Sequence, residues 1–279
     1  PGARPLGVEL GHQHPDGVGV LRPGRTDPHR GLSGPGGAIA ACNLAQAGMR
    51  VVLLKDGYKS YRHWAIHHFN HLPPVIVLGG KTGSGKTEML VHLSKEGANT
   101  IDLEGLANHR GSAYGQLGLP PQPSQEMFEN LLAWELSNKN PQQPLWLENE
   151  SRAIGLVHLP NTVYDAVRNA SVVEMDVAMD VRKQRILAEY RQFPVEELID
   201  KTLKLTKRLG GQHVKAAVQH LNDGNLSEWL DIVLHYYDKA YQHGNDERKE
   251  GTIHAVEIAW QNPESEAKKL LSTAHSIGK

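Results

Sequence analysis

A phosphate-binding loop lies directly behind a run of apolar residues. Residues 80–87 read Gly-Lys-Thr-Gly-Ser-Gly-Lys-Thr, a complete G-x-x-x-x-G-K-S/T motif, and Val75-Ile76-Val77-Leu78 precedes them. The motif binds phosphate as a strand-to-helix turn, because its glycines let backbone N–H groups close around an anion. Apolar residues at helical spacing after Thr87 predict that helix. The segment therefore predicts a site for a phosphorylated ligand, in which Lys86 reaches the outer phosphates and Thr87 ligates Mg²⁺.

Composition limits the classes of protein to consider. The 279 residues allow one large domain or two modest ones, and 39% hydrophobic with 22% charged residues is typical of a globular protein. The net charge of −1 argues against wholesale electrostatic binding to nucleic acid but permits a local basic face. The single cysteine excludes an intrachain disulfide framework. Since no apolar stretch approaches the roughly 20 residues of a membrane helix, we expect a cytoplasmic protein without membrane contact.

Two parts of the chain precede the phosphate-binding domain. Residues 1–37 are rich in Gly, Pro, Arg and His, show neither helical nor strand periodicity, and are predicted to be irregular. Residues 38–72 predict a helix at 38–47, a strand at 51–54 and a helix at 58–69. This pattern is half of an α/β unit, and Pro73-Pro74 marks the linker that follows it.

Residues 73–279 predict an α/β domain with a helical C-terminal region. Strands are expected at 75–78, 100–104, 145–148 and 171–175, with helices at 125–137 and 164–168 between them. Their alternation indicates a mainly parallel sheet covered on both faces. The chain after residue 178 is predicted to be largely helical, with breaks at Gly210-Gly211 and at Asp223-Gly224-Asn225.

Three carboxylates stand at the carboxyl ends of predicted strands, where open α/β sheets bind their ligands. They are Asp102, Glu104 and Glu148. A P-loop protein uses an acid on a neighbouring strand to hold Mg²⁺ through water, and Asp102 and Glu148 are the candidates for that role beside Thr87. The alternative is that each carboxylate caps the following turn or helix.

Basic residues supply two further candidate groups. Arg110 and Arg152 follow these strands and are suited to bidentate phosphate binding, although Arg152 is equally well placed to pair with Glu148 or Glu150. Further along, a predicted helix carries basic residues at spacings that suit an RNA backbone or an ordinary solvated face. These residues are Lys201, Lys204, Lys207 and Arg208.

Six segments together resemble the bacterial tRNA 2-selenouridine synthase family. The most specific are D-L-E-G-L-A-N-H-R-G-S at residues 102–112 and E-N-E-S-R-A-I-G at 148–155. The others lie at residues 54–62, 79–87, 207–211 and 236–238. The resemblance covers about residues 38–279 and implies a rhodanese-like α/β domain followed by a P-loop domain.

The resemblance also implies an activity. Members of the family replace sulfur by selenium in tRNA that carries 2-thiouridine at the wobble position, with selenophosphate and geranyl diphosphate as phosphorylated donors. Alkylation of the sulfur turns it into a better leaving group, so a geranylated intermediate is chemically reasonable. In this interpretation the P-loop, residues Gly80, Lys81, Thr82, Gly83, Ser84, Gly85, Lys86 and Thr87, holds a diphosphate or selenophosphate, assisted by Arg110 and Arg152.

The chain departs from the family at the rhodanese loop. That loop carries a nucleophilic cysteine in the family, whereas residues 29–37 here contain none, and Cys42 lies in the predicted helix as a small buried residue. The catalytic residue for selenium transfer is therefore not assigned. If Leu32-Ser33-Gly34-Pro35 were encoded CTC-AGC-GGT-CCG, another frame would read Gln-Arg-Ser, the loop sequence expected of the family. We hypothesise that residues 1 to about 36 are an out-of-frame translation and that residues 38–72 are a rhodanese remnant.

Two other functions fit the same residues. A P-loop small-molecule kinase or NTPase would also use Lys86, Mg²⁺ and nearby arginines. A non-catalytic tRNA-binding module would keep phosphate recognition without any chemistry. NTP turnover without RNA would favour the kinase, and binding of thiolated tRNA without product would favour the binding module.

Overall fold

The computed structural model describes residues 43, 46–48, 54, 56–248 and 251–277. Backbone contacts divide the chain into two compact units, residues 1–67 and residues 68–279. Residues 1–37, to which the out-of-frame hypothesis applies, lie outside the described residues, and so does Cys42. The same holds for most of the predicted helix at 38–47 and of the predicted strand at 51–54. Helix α1, Gly57–Asn70, confirms the helix predicted at 58–69.

A five-stranded parallel sheet forms the centre of the second unit. The strands in chain order are β1 Val75–Gly80, β2 Asn99–Ile101, β3 Leu145–Glu148, β4 Ala153–Ile154, β5 Val157–His158, β6 Val172–Asp176 and β7 Ile253–Glu257. The large sheet has the order β2-β3-β1-β6-β7, while β4 and β5 form a separate antiparallel hairpin. All neighbours in the large sheet are parallel. Because β1 is central, the loop that follows it lies at the middle of the carboxyl edge.

Ten further helices surround this sheet and form the C-terminal region within the described residues. They are α2 Lys86–Lys95, α3 Leu103–Ala107, α4 Gln125–Ser137, α5 Asn161–Asn169, α6 Met179–Tyr190, α7 Val195–Lys204, α8 Thr206–Leu209, α9 Gly211–Asn222, α10 Leu226–Asp246 and α11 Pro263–Ile277. The α/β fold class with a helical C-terminal region is thus confirmed. Among the described residues, no helix is both long enough and apolar enough to span a membrane.

Two hydrophobic cores hold these layers together. In the first, Leu78 of β1 packs with Leu90 of α2 and Leu270 of α11. In the second, helices α6, α7, α9 and α10 surround the buried ring of Trp229. The polar atoms of that second core are satisfied, since the Trp229 indole N–H donates to the Thr202 hydroxyl at 3.1 Å. The helical region is therefore a packed structure in its own right.

The structure corrects the predicted elements at three places. The strand predicted at 100–104 ends at Ile101, because Asp102 accepts the Gly105 N–H at 2.7 Å and caps α3. Strand β7 lies where the sequence predicted helix, so that part of the prediction was wrong. The sequence offered little signal for it, since β7 is a short edge strand with alternating exposed and half-buried residues. The β4–β5 hairpin was also missed, because each strand has only two residues.

Candidate functional site

The P-loop runs from the end of β1 to the start of α2 and depends on its glycines. Gly83 and Gly85 have φ angles of 82° and 84°, in the left-handed region that favours glycine. A Cβ at Gly83 would lie 2.6 Å from the Ile186 side chain, and one at Gly85 would lie 2.5 Å from the Trp260 ring. Glycine is thus required here both by the backbone conformation and by the close approach of other parts of the chain.

The side chains of Lys86 and Thr87 contact different groups. The Lys86 ammonium donates to the Gly80 carbonyl oxygen at 3.1 Å. The Thr87 hydroxyl oxygen lies 2.9 Å from Oε1 of Glu148 and 3.3 Å from Oε2 of Glu104. The Glu104 backbone N–H in turn donates to Oε2 of Glu148 at 3.2 Å. The start of α2 is therefore joined to the first turn of α3 and to the last residue of β3.

Three glutamates, Glu104, Glu148 and Glu150, act on the charge of Lys86, and Asp102 adds a fourth carboxylate that acts on these glutamates. Burial, aided by repulsion from neighbouring carboxylates, raises the pKa of Glu104 and of Glu148 to about 8. Burial likewise raises the pKa of Glu150 to about 7, and burial raises that of Asp102. Burial alone would lower the pKa of Lys86, but the negative charges of Glu104, Glu150 and Glu148 outweigh burial and raise the pKa. Lys86 therefore keeps its positive charge in a strongly acidic setting.

The donor atoms at this point fit Mg²⁺. Thr87, Glu148 and Glu104 supply hard oxygen ligands, since both carboxylates lie within hydrogen-bonding distance of the Thr87 hydroxyl. Asp102 lies next to Glu148 but already accepts the N-cap hydrogen bond of α3, so the capping alternative is realised there. No group of three or more Asp, Glu, His or Cys side chains in the described part of the chain has the geometry of a protein-only metal site. That geometry is not needed when phosphate and water supply most ligands, as they do for Mg²⁺ in P-loop proteins.

Lys86, Thr87, Asp102, Glu104 and Glu150 line one cavity of about 690 Å³, whereas Glu148 is fully buried and does not belong to its lining. Its polar wall comes from the P-loop and from the residues after β2 and β3. A second, more apolar wall comes from helices α6 and α10 and the loop before residue 120, and its residues are Leu119, Ile186, Tyr190, Tyr237 and Ala240. The cavity can therefore accept a molecule that has an anionic part and an apolar or aromatic part.

The predicted arginines separate in the structure. Arg110 lines the cavity, donates to the Leu117 carbonyl oxygen at 2.8 Å and pairs with Glu189 at 2.9 Å. Arg152 lies outside the cavity lining, is exposed, and hydrogen-bonds to the Asn161 side chain. Arg152 thus lies away from the groups that line the cavity, and no ion pair with a neighbouring glutamate is found among the described residues. Within the loop itself, Lys81 and Ser84 also lie outside the lining, and Ser84 is buried.

Three side chains distant in sequence hold the P-loop backbone. The Tyr241 hydroxyl accepts the Gly80 N–H at 2.7 Å, Arg182 donates to the Thr82 carbonyl oxygen at 3.1 Å, and Trp260 donates to the Ser84 carbonyl oxygen at 2.9 Å. The motif gives no signal for them, since they come from α10, α6 and the segment after β7. Glu150 was also missed, although its position two residues after Glu148 could have identified it.

The predicted basic face is divided between two helices. Lys201 and Lys204 belong to α7, whereas Lys207 and Arg208 belong to the four-residue α8, because the helix is interrupted at Leu205. Lys204 pairs with Asp200 at 2.7 Å on an exposed surface. Burial raises the pKa of Tyr237 to about 12, and the charge of Arg208, the smallest of several further influences, acts in the opposite direction. Of these residues, Arg208 is thus placed near a residue of the cavity wall.

Known proteins resemble this chain over most of its length. Residues 73–262 match the family model described as the tRNA 2-selenouridine synthase AAA domain. The chain is 33% identical over 234 residues to the tRNA 2-selenouridine synthase of Sulfurovum sp. (strain NBC37-1). The matched region covers 72% of this chain and 63% of that protein. It is also 33% identical over 246 residues to that of Shewanella frigidimarina (strain NCIMB 400), covering 75% and 65%.

The chain spans less than two thirds of the length of these curated relatives. Among solved structures, TT1252 from Thermus thermophilus matches with a TM-score of 0.37 and 15% identity over 74% of this chain and 97% of that chain, a likeness too distant to support an inference. The family match and the sequence relatives agree with each other and with the P-loop site. The chain belongs to the tRNA 2-selenouridine synthase family.

Proposed function

We propose that this chain is a tRNA-modifying transferase of the reaction that converts wobble 2-thiouridine into 2-selenouridine through a geranylated intermediate, and that it carries out the geranylation while its selenation step is slow or absent. Family membership supports the reaction class. The observation that carries the proposal is a cavity in which the P-loop, Glu104, Glu150 and Arg110 meet an apolar wall. A phosphorylated donor with a hydrocarbon chain, such as geranyl diphosphate, has both of the parts that such a cavity accommodates.

The P-loop binds the donor by its phosphates in this proposal. Backbone N–H groups of the loop and the charged Lys86 hold the diphosphate, and Arg110 adds a guanidinium from the facing loop. Thr87 and Glu148 would hold Mg²⁺, which when bound neutralises negative charge on the departing diphosphate. The apolar wall, which includes Leu119 and Ile186, receives the hydrocarbon chain and keeps water from it.

The first chemical step transfers the geranyl group. The thiouridine sulfur forms a bond to the geranyl carbon as the bond from that carbon to the diphosphate oxygen breaks, and the N3 proton of the thiouridine is released to water. Lys86 and the loop N–H groups stabilise the charge that develops on the departing diphosphate. In the second step selenium from selenophosphate replaces the alkylated sulfur, water is consumed, and geranyl thiol and phosphate are released. Since residues 29–37 contain no cysteine, we expect this second step to be slow or absent.

The tRNA contacts the basic residues of α7 and α8 in this proposal. Lys201, Lys207 and Arg208 carry positive charge without a carboxylate partner among the described residues. Arg208 lies near Tyr237 of the cavity wall, so a phosphate bound there would bring the nucleic acid toward the donor. Lys204 contributes less, because Asp200 already neutralises it.

One assay tests this proposal. The protein is incubated with an anticodon stem-loop that contains 2-thiouridine, geranyl diphosphate and Mg²⁺, with and without selenophosphate, and nucleosides are analysed by mass spectrometry. Geranylated product that does not become selenouridine is the expected result. Full conversion would contradict our interpretation of the missing cysteine. No product would contradict the transferase, and NTP turnover without RNA would then support a kinase.

A further inference from the structure

Arg185 lies against the P-loop on a helix that the motif does not include. It lines the cavity, and its Nη2 atom would lie 2.6 Å from a Cβ placed on Gly85. Helix α6 is fixed in this position one turn earlier, where the buried Arg182 donates to the Thr82 carbonyl oxygen and forms two bonds, of 2.9 and 2.7 Å, with Asp238. A cation that does not belong to the motif, unlike Lys86, is therefore held beside the P-loop.

The guanidinium of Arg185 is oriented by an aromatic ring. Its Cζ atom lies 4.1 Å from the centre of the Trp260 ring, and the Trp260 indole N–H itself donates to the Ser84 carbonyl oxygen at 2.9 Å. Stacking uses the flat face of a guanidinium and leaves its N–H edge available for hydrogen bonds. Arg185 is thus aligned to the loop before any ligand arrives.

The N–H edge currently faces a carboxylate that an anion can replace. Arg185 forms an ion pair with Glu88, in the first turn of α2. The Glu88 side chain is 51% exposed, and exposed ion pairs contribute little net stability because water solvates both charges well. Glu88 lines the same cavity, so the pair stands where a phosphorylated donor would enter.

We propose that Arg185 is a phosphate-binding residue that exchanges Glu88 for an outer phosphate of the donor. The inference rests on the proposed function, since it assumes that the P-loop holds a phosphorylated donor. Arg185 binds the anion from the side of α6, while Lys86 and the loop N–H groups bind it from the side of α2. Glu88 competes with the ligand and keeps the guanidinium occupied when the site is empty.

Calorimetric titration of the full chain with inorganic pyrophosphate and Mg²⁺ tests this role. Arg185→Gln is expected to weaken binding by about tenfold or more, because the variant cannot form charge-assisted hydrogen bonds. Glu88→Gln is expected to strengthen binding, because it removes the competitor. Lys183→Gln is the matched control, since Lys183 lies on the same helix but pairs with Asp231 and does not line the cavity.

The opposite signs separate ligand binding from a structural role. If the Arg185–Glu88 pair only supported the loop, both substitutions would weaken pyrophosphate binding, and that result would overturn the inference. Unchanged affinity in a folded Arg185→Gln variant would also overturn it while leaving the proposed function intact. A wild-type protein that binds no pyrophosphate would overturn both. If Arg185→Gln fails to fold, Glu88→Gln decides alone, tighter binding supporting the inference and weaker binding contradicting it.

Discussion

The P-loop and the helical region build the same site in different ways. The loop supplies its phosphate-binding groups from eight consecutive residues, 80–87, whose backbone is set by glycines between a strand and a helix. The helical region supplies Arg182, Arg185 and Tyr241 from helices that have their own core. Tyr241 lies 161 residues from the loop atom that it binds. The motif thus specifies the anion-binding groups, while residues far along the chain hold them in place.

Substituting Lys86 should have the largest effect on ligand binding. Lys86→Ala removes the cation at the centre of the carboxylate cluster, so we expect pyrophosphate binding to fall by about a hundredfold or more. The fold should persist, because the lysine's one hydrogen bond is to the Gly80 carbonyl within the same loop. Calorimetry measures the affinity, and circular dichroism checks the fold.

Lys81 is a matched control for that substitution. It belongs to the same motif but does not line the cavity, so Lys81→Ala should bind pyrophosphate almost as the unaltered chain does. If the two variants bound equally well, the donor would lie elsewhere. If neither variant bound pyrophosphate, both lysines would contribute to binding, and Lys81 would belong to the phosphate site as the sequence analysis predicts.

Breaking the buried ion pair should have the largest effect on stability. Asp238→Ala leaves the Arg182 guanidinium, whose side chain is 3% exposed, without its carboxylate, and removal of one partner of a buried pair costs about 3 kcal/mol. Chemical denaturation measures this destabilisation. Asp200→Asn, which breaks the exposed pair with Lys204, should leave the midpoint of unfolding unchanged. Equal effects of the two substitutions would contradict the view that Arg182 anchors α6 to the loop.

Removing one hydroxyl from α10 should have a smaller effect on both properties. Tyr241→Phe leaves the Gly80 N–H without its acceptor and removes one of the two donors to Glu174 Oε2, which keeps the Asn245 amide, at a cost of about 1–3 kcal/mol. Pyrophosphate binding should weaken by about threefold, because the end of β1 is no longer restrained. Tyr236→Phe is the control, since no hydrogen bond to its hydroxyl is found in residues 56–248 or 251–277. Unchanged pyrophosphate affinity and unchanged stability in Tyr241→Phe would show that the P-loop keeps its conformation without the Tyr241 hydroxyl.

The P-loop and the helical region also differ in how much of their structure could be predicted from the sequence. The β1–loop–α2 unit follows from a continuous apolar run, glycines at strained positions and a helical pattern, all of which are local. Helix α4 could likewise be predicted at its observed bounds, since Ser124 caps it and its apolar residues repeat at helical spacing. Fold class and the centre of the site were therefore accessible from residues alone.

The remainder depends on contacts that have no local signal. Strand β7 is recognisable as a strand only because β6 pairs with it, and Arg182 differs from any other arginine of a basic segment only because Asp238 faces it. Arg152 shows the converse, since its position after β3 suggested a phosphate ligand but its side chain turns to Asn161. Side-chain direction after a strand is set by the packing of the next segment, here the β4–β5 hairpin, which the pattern did not reveal.

The basic residues of α7 and α8 give the smallest and most selective prediction. Arg208→Glu should weaken binding of the 2-thiouridine stem-loop several-fold and flatten the dependence of log affinity on log salt by about 0.7–0.9 for each phosphate that the variant no longer neutralises. Lys204→Glu, on an exposed surface earlier in the chain, should do less, because Lys204 already pairs with Asp200. Filter binding at several salt concentrations measures both. Equal flattening in the two variants would mean that the whole stretch binds the RNA backbone, as the sequence alone suggested. An unchanged salt slope in both variants would mean that Arg208 and Lys204 face solvent in the complex. The RNA would then contact another face of the helical region.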